Sequence, residues 1–172
     1  LNYAVGLLGM VACLLLVRFW HRVKWLVPLV ALGSLLLLAL PLVIGNEIKG
    51  AKAWLSLLGV SFQPSEMVKV SMLLVMAFLL SRRKVLFSLL FGGACLLLLF
   101  LQKDLGTALI YYIIMLIMVF SATGSVLLLG LGAFGAAGAA VAGYQMNSYV
   151  QNRVKIWLDP WQDPYGISYQ VV

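Results

Sequence analysis

The chain has 172 residues, 64% of them hydrophobic and only 10% charged, with a mean hydropathy of +1.08. Soluble domains carry about a quarter charged residues, so this composition excludes a water-soluble domain and points to a polytopic helical membrane protein. The formal net charge of +7 sits in short connectors between apolar blocks. Membrane topology and anionic lipid account for it there, and no nucleic-acid module or nucleic-acid partner is indicated.

Six apolar spans follow in chain order, at 2–17, 25–44, 64–80, 85–101, 107–122 and 126–143. Each is close to the roughly 20 residues that cross a hydrocarbon core. The expected fold is therefore all-α: one membrane domain over 1–172, with a loop at 45–63 and a second, longer loop beginning at 144–172. Short connectors make neighbouring helices antiparallel. Arg18, Arg22 and Lys24 crowd the first connector, and Arg82, Arg83 and Lys84 the third. The positive-inside rule makes that side cytoplasmic. Residue 1, the 45–63 loop, the 102–106 turn and the 144–172 tail then lie outside. Leu1 stands at the edge of an apolar span with no basic leader, and the tail stops at Gln170-Val171-Val172. An internal fragment of a longer chain is the expectation.

Several residues are explained by packing alone. Cys13 and Cys95 lie inside apolar spans without CxxC spacing or a neighbouring His, as small buried hydrophobes do. Trp20 and Trp25 suit interfacial anchoring, and His21, among basic neighbours, suits a solvated connector. Gly135, Ala139 and Gly143 recur every four residues along the last span, where they permit close helix approach.

Three polar constellations remain, all on the outer side. The stretch 50–69, GAKAWLSLLGVSFQPSEMVK, ends by running into a span. Pro64 fits the first helical turn, and Glu66 can reach back to free backbone N–H groups. Lys69, at i+3 from Glu66, can pair with it, so Gln63, Glu66 and Lys69 form a polar stripe entering the bilayer. Structural pairing and a substrate-facing role both remain open for it. The second constellation is the turn Gln102-Lys103-Asp104-Leu105-Gly106-Thr107, where Asp104 suits an N-cap and Lys103 adds a cation. The third is the tail from Asn152 to Gly166, with Arg153 and Lys155 ahead of two Asp-Pro dipeptides and three aromatic rings. Cations beside aromatic rings at a membrane surface suit an amphiphile with a sugar-phosphate head.

Together these segments resemble the RodA/FtsW/SpoVE family, the shape, elongation, division and sporulation (SEDS) proteins of bacteria. The matching motifs are Gly50-Ala51-Lys52-Ala53-Trp54, Phe62-Gln63-Pro64-Ser65-Glu66, Asp104-Leu105-Gly106-Thr107-Ala108, and Leu158-Asp159-Pro160-Trp161 continuing to Asp163-Pro164, Gly166 and Tyr169-Gln170. Lys103 stands where the family often carries Pro, a mild departure. The resemblance implies a ten-helix fold with both termini inside, of which these spans would be the second to seventh. It also implies a peptidoglycan glycosyltransferase that polymerises lipid II on the outer face of the bacterial cytoplasmic membrane, in partnership with a class B penicillin-binding protein. The catalytic Asp of that family, in a His-Thr-Asp-Phe context, would lie beyond Val172. Asp159 and Asp163 belong to a different motif and do not replace it.

Glycan growth displaces undecaprenyl pyrophosphate by an acceptor hydroxyl, through a transition state of oxocarbenium character. It needs a base and positive charge on the departing pyrophosphate. The resemblance assigns the base to the absent Asp. Lys52, Lys103, Arg153 and Lys155 are the candidate cations, with Lys52 and Arg153 favoured because each lies in or beside a matching segment. Trp54 would pack the loop or bear on a sugar ring, and Gln63, Glu66, Lys69 and Asp104 would form the polar entrance. No metal-ligand set is identifiable, although a divalent cation (Mg or Mn) bound with the phosphates is another source of charge. Two other readings are a lipid II flippase, which predicts a polar path to the cytoplasmic side, and a non-catalytic scaffold for a penicillin-binding protein.

Overall fold

The structure, a computed structural model, describes residues 24–48, 51–57, 60–146 and 148–158. The expected span at 2–17, with Cys13, Arg18, His21 and Arg22, and the tail after Leu158 lie outside these residues. After a 3-10 turn at Lys24–Leu26 come α1 (Val27–Ile44), α2 (Pro64–Ser81), α3 (Val85–Leu101), α4 (Leu105–Thr123), α5 (Val126–Met146) and α6 (Ser148–Leu158). The first five coincide with expected spans to within a few residues. Helices α1, α2 and α4 are long and apolar enough to cross a membrane, while α3 and the Val126–Val141 part of α5 are shorter apolar helices. The chain divides into two compact units, residues 1–124 and 125–172.

In the first unit α2 is the central helix. It packs against α1, α3 and α4, and 39% of its span is buried against 22% for α1 and for α4. Its buried residues Val68, Met72, Val75 and Met76 recur at the three- and four-residue spacing of one helix face. The outer helices expose Leu29, Leu36, Ile113 and Ile117, as surfaces meeting lipid do. Lipid tails are as apolar as a core, so helix association there depends on close approach and polar bonds. Both devices are present. A Cβ at Gly92 of α3 would come within 2.7 Å of Met115 Sδ on α4. The Ser34 and Ser71 hydroxyls of α1 and α2 meet at 2.7 Å.

The segment 45–63, expected only as a loop, adds a small sheet to this helical fold. Strands β1 (Asn46–Ile48), β2 (Ala51–Leu57) and β3 (Val60–Phe62) pair antiparallel in the order β1-β2-β3. Ile48 pairs with Ala51 and Leu57 with Val60. Two residues therefore join each pair, Lys49-Gly50 and Leu58-Gly59, with Gly in the second position that short hairpin loops favour. Along β2 the side chains alternate as a pleated strand requires. Ala53 and Leu55 are buried, whereas Lys52 and Ser56 are exposed and Trp54 is half-buried. The strand rests on α1 and α2.

Two helix-to-helix turns share one backbone geometry. After α2, Arg83 N–H donates to Leu80 O and Lys84 N–H to Leu79 O, both at 2.9 Å. After α3, Lys103 N–H donates to Phe100 O at 3.0 Å and Asp104 N–H to Leu99 O at 3.1 Å. Arg83 and Lys103 stand at φ +57° and +59°, the left-handed position that glycine usually fills in this helix-ending motif.

In the second unit the Ser125 hydroxyl caps α5 by accepting from Leu128 N–H at 3.3 Å. Helix α6 occupies the beginning of the tail, where the sequence suggested a loop, and Gln151 Nε2 ties it to the Tyr144 carbonyl at 2.8 Å.

Candidate functional site

Pro64 opens α2, and Gln63 takes the extended N-cap position, where its carbonyl accepts from Glu66 N–H at 3.1 Å while its side chain makes no cap bond. Its amide is thereby available to cross to α4. Gln63 Nε2 donates to Asp104 Oδ2 at 2.6 Å and approaches Thr107 Oγ1 at 3.4 Å. The other carboxylate oxygen, Asp104 Oδ1, accepts from Thr107 N–H at 3.2 Å and caps α4. Asp104 is half-buried and Thr107 buried, so these bonds compete little with water. The expected capping role of Asp104 is thus present, and the same carboxylate also joins α2 to α4.

Gln102, buried at 1% exposure, extends the cluster in two directions. Its side-chain amide donates to the Leu38 carbonyl of α1, beside the turn in which Pro41 supplies no N–H to the helix. Its backbone carbonyl accepts from Lys52 N–H of β2 at 3.1 Å. One residue therefore fastens the sheet, α1 and the α3–α4 turn together. Below it, Tyr111 is fully buried and its hydroxyl donates to Ser65 O at 2.6 Å. Ser65 Oγ is buried without a hydrogen-bond partner among the described residues.

The polar stripe expected from Gln63, Glu66 and Lys69 divides. Gln63 turns to Asp104, while Glu66 and Lys69 pair with each other. Lys69 Nζ donates to both carboxylate oxygens of Glu66 at 2.9 Å. Glu66 does not reach back to cap α2, because an ammonium on the same face is the stronger donor. The pair lies toward solvent, with the Glu66 side chain 59% exposed and that of Lys69 23%.

Lys52 and Trp54 share one face of β2, and the Lys52–Gln102 backbone bond sets that strand beside the turn carrying Lys103 and Asp104. The side chains of Lys52 and Lys103 are exposed. The structure thus brings Lys52, Lys103, Gln63 and Asp104 to one end of the bundle, with the Glu66–Lys69 pair one turn into α2. Arg153 and Lys155 lie on α6 in the second unit, where Lys155 is exposed. Sequence reasoning places Gln102 and Thr107 in the turn but gives them no partner, and it assigns no role to Tyr111 or Ser65. A lone amide closing an apolar span was the available signal for Gln102.

Chemically, this end offers exposed cations beside an aromatic ring, and carboxylates already occupied by donors. Among the described residues no three His, Cys, Asp or Glu side chains gather as metal ligands. Asp104 and Glu66 are engaged by Gln63, Thr107 and Lys69, so neither presents a free carboxylate to a resident cation.

A profile of the FtsW/RodA/SpoVE family, described as cell cycle protein, matches residues 2–172. The chain is 35% identical to a probable peptidoglycan glycosyltransferase FtsW of Geobacter sp. (strain M18), over 98% of this chain and 48% of that protein. It is 38% identical to one from Thiomicrospira cyclica, over 98% and 46%. With the peptidoglycan glycosyltransferase RodA of Mycobacterium bovis it shares 33%, over 96% and 41%. Among solved structures, a chain of a peptidoglycan synthase complex that coordinates polymerization and crosslinking superposes with a TM-score of 0.70 at 36% identity, covering 99% of this chain and 53% of that one. The rod shape determining protein RodA of Thermus thermophilus gives a TM-score of 0.63 at 36% identity, over 79% and 48%. The chain therefore spans about half the length of the relatives it matches.

Proposed function

We propose, for a chain that belongs to the FtsW/RodA/SpoVE family of cell cycle proteins, that it forms part of a multi-pass peptidoglycan glycosyltransferase polymerising lipid II at the outer face of the bacterial cytoplasmic membrane. The observation that carries this reading is the 33–38% identity to FtsW and RodA glycosyltransferases along nearly the whole chain. The basic Arg82-Arg83-Lys84 turn then faces the cytoplasm, and the sheet, the 102–104 turn and α6 face outward.

At that outer end Lys52 and Lys103 attract the pyrophosphate, and their charge offsets the negative charge that grows on it as the glycosidic bond breaks. Arg153 and Lys155, on α6 of the second unit, are further candidate cations for an anionic lipid head. Trp54, on the strand face that carries Lys52, bears on a sugar ring. The Gln63–Asp104–Thr107 cluster fixes the angle between α2 and α4, and the Glu66–Lys69 pair keeps the mouth polar. A divalent cation, Mg or Mn, would arrive with the pyrophosphate. Glu66 and Asp104 are each already bonded to donors, so neither is assigned as the base that takes the proton of the attacking hydroxyl. A class B penicillin-binding protein is the proposed partner. Support comes from the structural neighbour, which is part of a peptidoglycan synthase complex.

The test is glycan polymerisation from lipid II by the complete protein, comparing wild type with Lys52→Ala and Glu66→Ala at matched folding. Loss of polymer by more than tenfold in Lys52→Ala places the strand in the pyrophosphate site. Full activity in both variants reduces this end of the bundle to loop packing.

A further inference from the structure

At the end of the first unit opposite the Gln63–Asp104 cluster, an open groove of about 500 Å³ lies between the last turns of α2 and α4. Ala77 and Ile117 form part of its apolar wall, and Arg83, Ser81 and Ser121 stand at its rim. We propose that this groove binds the headgroup of an anionic phospholipid of the phosphatidylglycerol class, with the phosphodiester on Arg83 and the glycerol hydroxyls on Ser81 and Ser121. The inference requires only that the bundle sits in a membrane. It concerns the leaflet opposite the proposed polymerisation site.

The first ground is charge. Three successive cations occupy the turn, and two are engaged: Arg82 lies 4.5 Å from the centre of the Phe78 ring, and Lys84 lies 5.6 Å from that of Phe87. Among the described residues the Arg83 guanidinium has no ion pair or ring contact, and it is the one cation of the three that lines the groove. Glu66 and Asp104, the acids on α2 and at the start of α4, are bonded at the far end of the bundle. A helix of this length carries them roughly 25 Å away. An anion for Arg83 must come from outside, and a guanidinium fits a phosphodiester through paired donors.

The hydroxyls narrow the chemistry. Ser81 Oγ donates to Phe78 O at 2.8 Å and Ser121 Oγ to Ile117 O at 2.7 Å. Their protons are spent within their helices, so the oxygens offer lone pairs. Lone pairs suit the donor hydroxyls of a glycerol headgroup and do not suit phosphate oxygens. Two apolar tracks then lead from the groove toward the middle of the membrane. Ile113 and Ile110 precede Ile117 by four and seven residues, and Leu73 and Val70 precede Ala77 in the same way. All four are exposed, between 38% and 47%. Residues so spaced share a helix face, and such tracks accommodate acyl chains for which a free phosphate has no use.

The experiment places the complete protein in phosphatidylcholine nanodiscs doped with phosphatidylglycerol and counts retained phosphatidylglycerol by native mass spectrometry. Wild type retains the lipid, and Arg83→Asn, which tolerates the left-handed backbone, lowers retention about tenfold, the loss of one charge-assisted contact. Arg82→Asn changes retention less than about twofold, as expected for a cation already held on a ring. Ser121→Phe keeps every charge, fills the groove and abolishes retention. Equal losses in Arg82→Asn and Arg83→Asn would overturn the proposal in favour of diffuse surface charge. Displacement of the lipid by soluble glycerol phosphate would overturn it in favour of a free-phosphate site. Absence of retention by wild type would overturn it outright.

Discussion

The turns at 82–84 and 102–104 have the same hydrogen bonds and the same left-handed middle residue, yet the bundle treats them differently. Lys84 gives α3 no side-chain cap, whereas Asp104 caps α4. Arg82 is exposed, whereas its counterpart Gln102 is buried. The cause is what lies over each turn. At 102–104 the β2 strand supplies a donor to the Gln102 backbone carbonyl, and the Pro41 end of α1 supplies an acceptor to its side-chain amide. At 82–84 the long cationic side chains fold onto neighbouring rings or extend outward. One backbone motif thus serves as a polar hub at one end of the bundle and as an open charged rim at the other.

The largest test of that contrast is Gln102→Ala. Losing the buried amide and leaving a void costs about 2–3 kcal/mol, read as a lower thermal midpoint in detergent. Arg82→Ala, at the equivalent position, changes stability by less than about 0.5 kcal/mol. Equal effects would erase the distinction between hub and rim. Next comes Asp104→Ala, which removes the α4 cap and the partner of Gln63 for about 1–2 kcal/mol and lowers polymerisation. Asp104→Asn keeps an oxygen for Thr107 N–H and retains most of the stability, while Lys84→Ala is near neutral. Lys103→Gly and Arg83→Gly share one expected sign. Each relieves a left-handed side-chain penalty and stabilises by about 1 kcal/mol; a loss at Lys103 alone would show that its side chain makes contacts of its own. Smallest is Glu66→Gln, an exposed pair worth under about 1 kcal/mol and weakened by salt. A cost above that range, insensitive to salt, would place the pair within the desolvated membrane boundary.

Much of this was visible in the chain itself. The apolar blocks mark the helices, and Asp104-Leu105-Gly106-Thr107 announces a capped start that the structure contains. Lys49-Gly50 and Leu58-Gly59 held the signal for the sheet, but the residues between them alternate too weakly to separate a strand from a loop. Val150, Val154 and Leu158, four residues apart, held the signal for α6, obscured by the Asp-Pro dipeptides that follow. Glu66 had two plausible partners on its own helix, and only geometry chose Lys69 over the free N–H groups.

Sequence by itself therefore determined the membrane class, the limits of the five apolar helices α1 to α5, the Asp104 cap and the family, because each rests on neighbours within a few residues or on motifs read in order. Tertiary structure alone decided that Gln63 meets Asp104 across 41 residues, that Gln102 reaches Leu38 across 64, and that Lys52 rests on the same turn. The physical reason lies in the solvent. In lipid the buried and exposed faces of a helix are equally apolar, so no stripe in the sequence says which face meets which helix. The few polar groups that choose their partners do so only once the helices have packed.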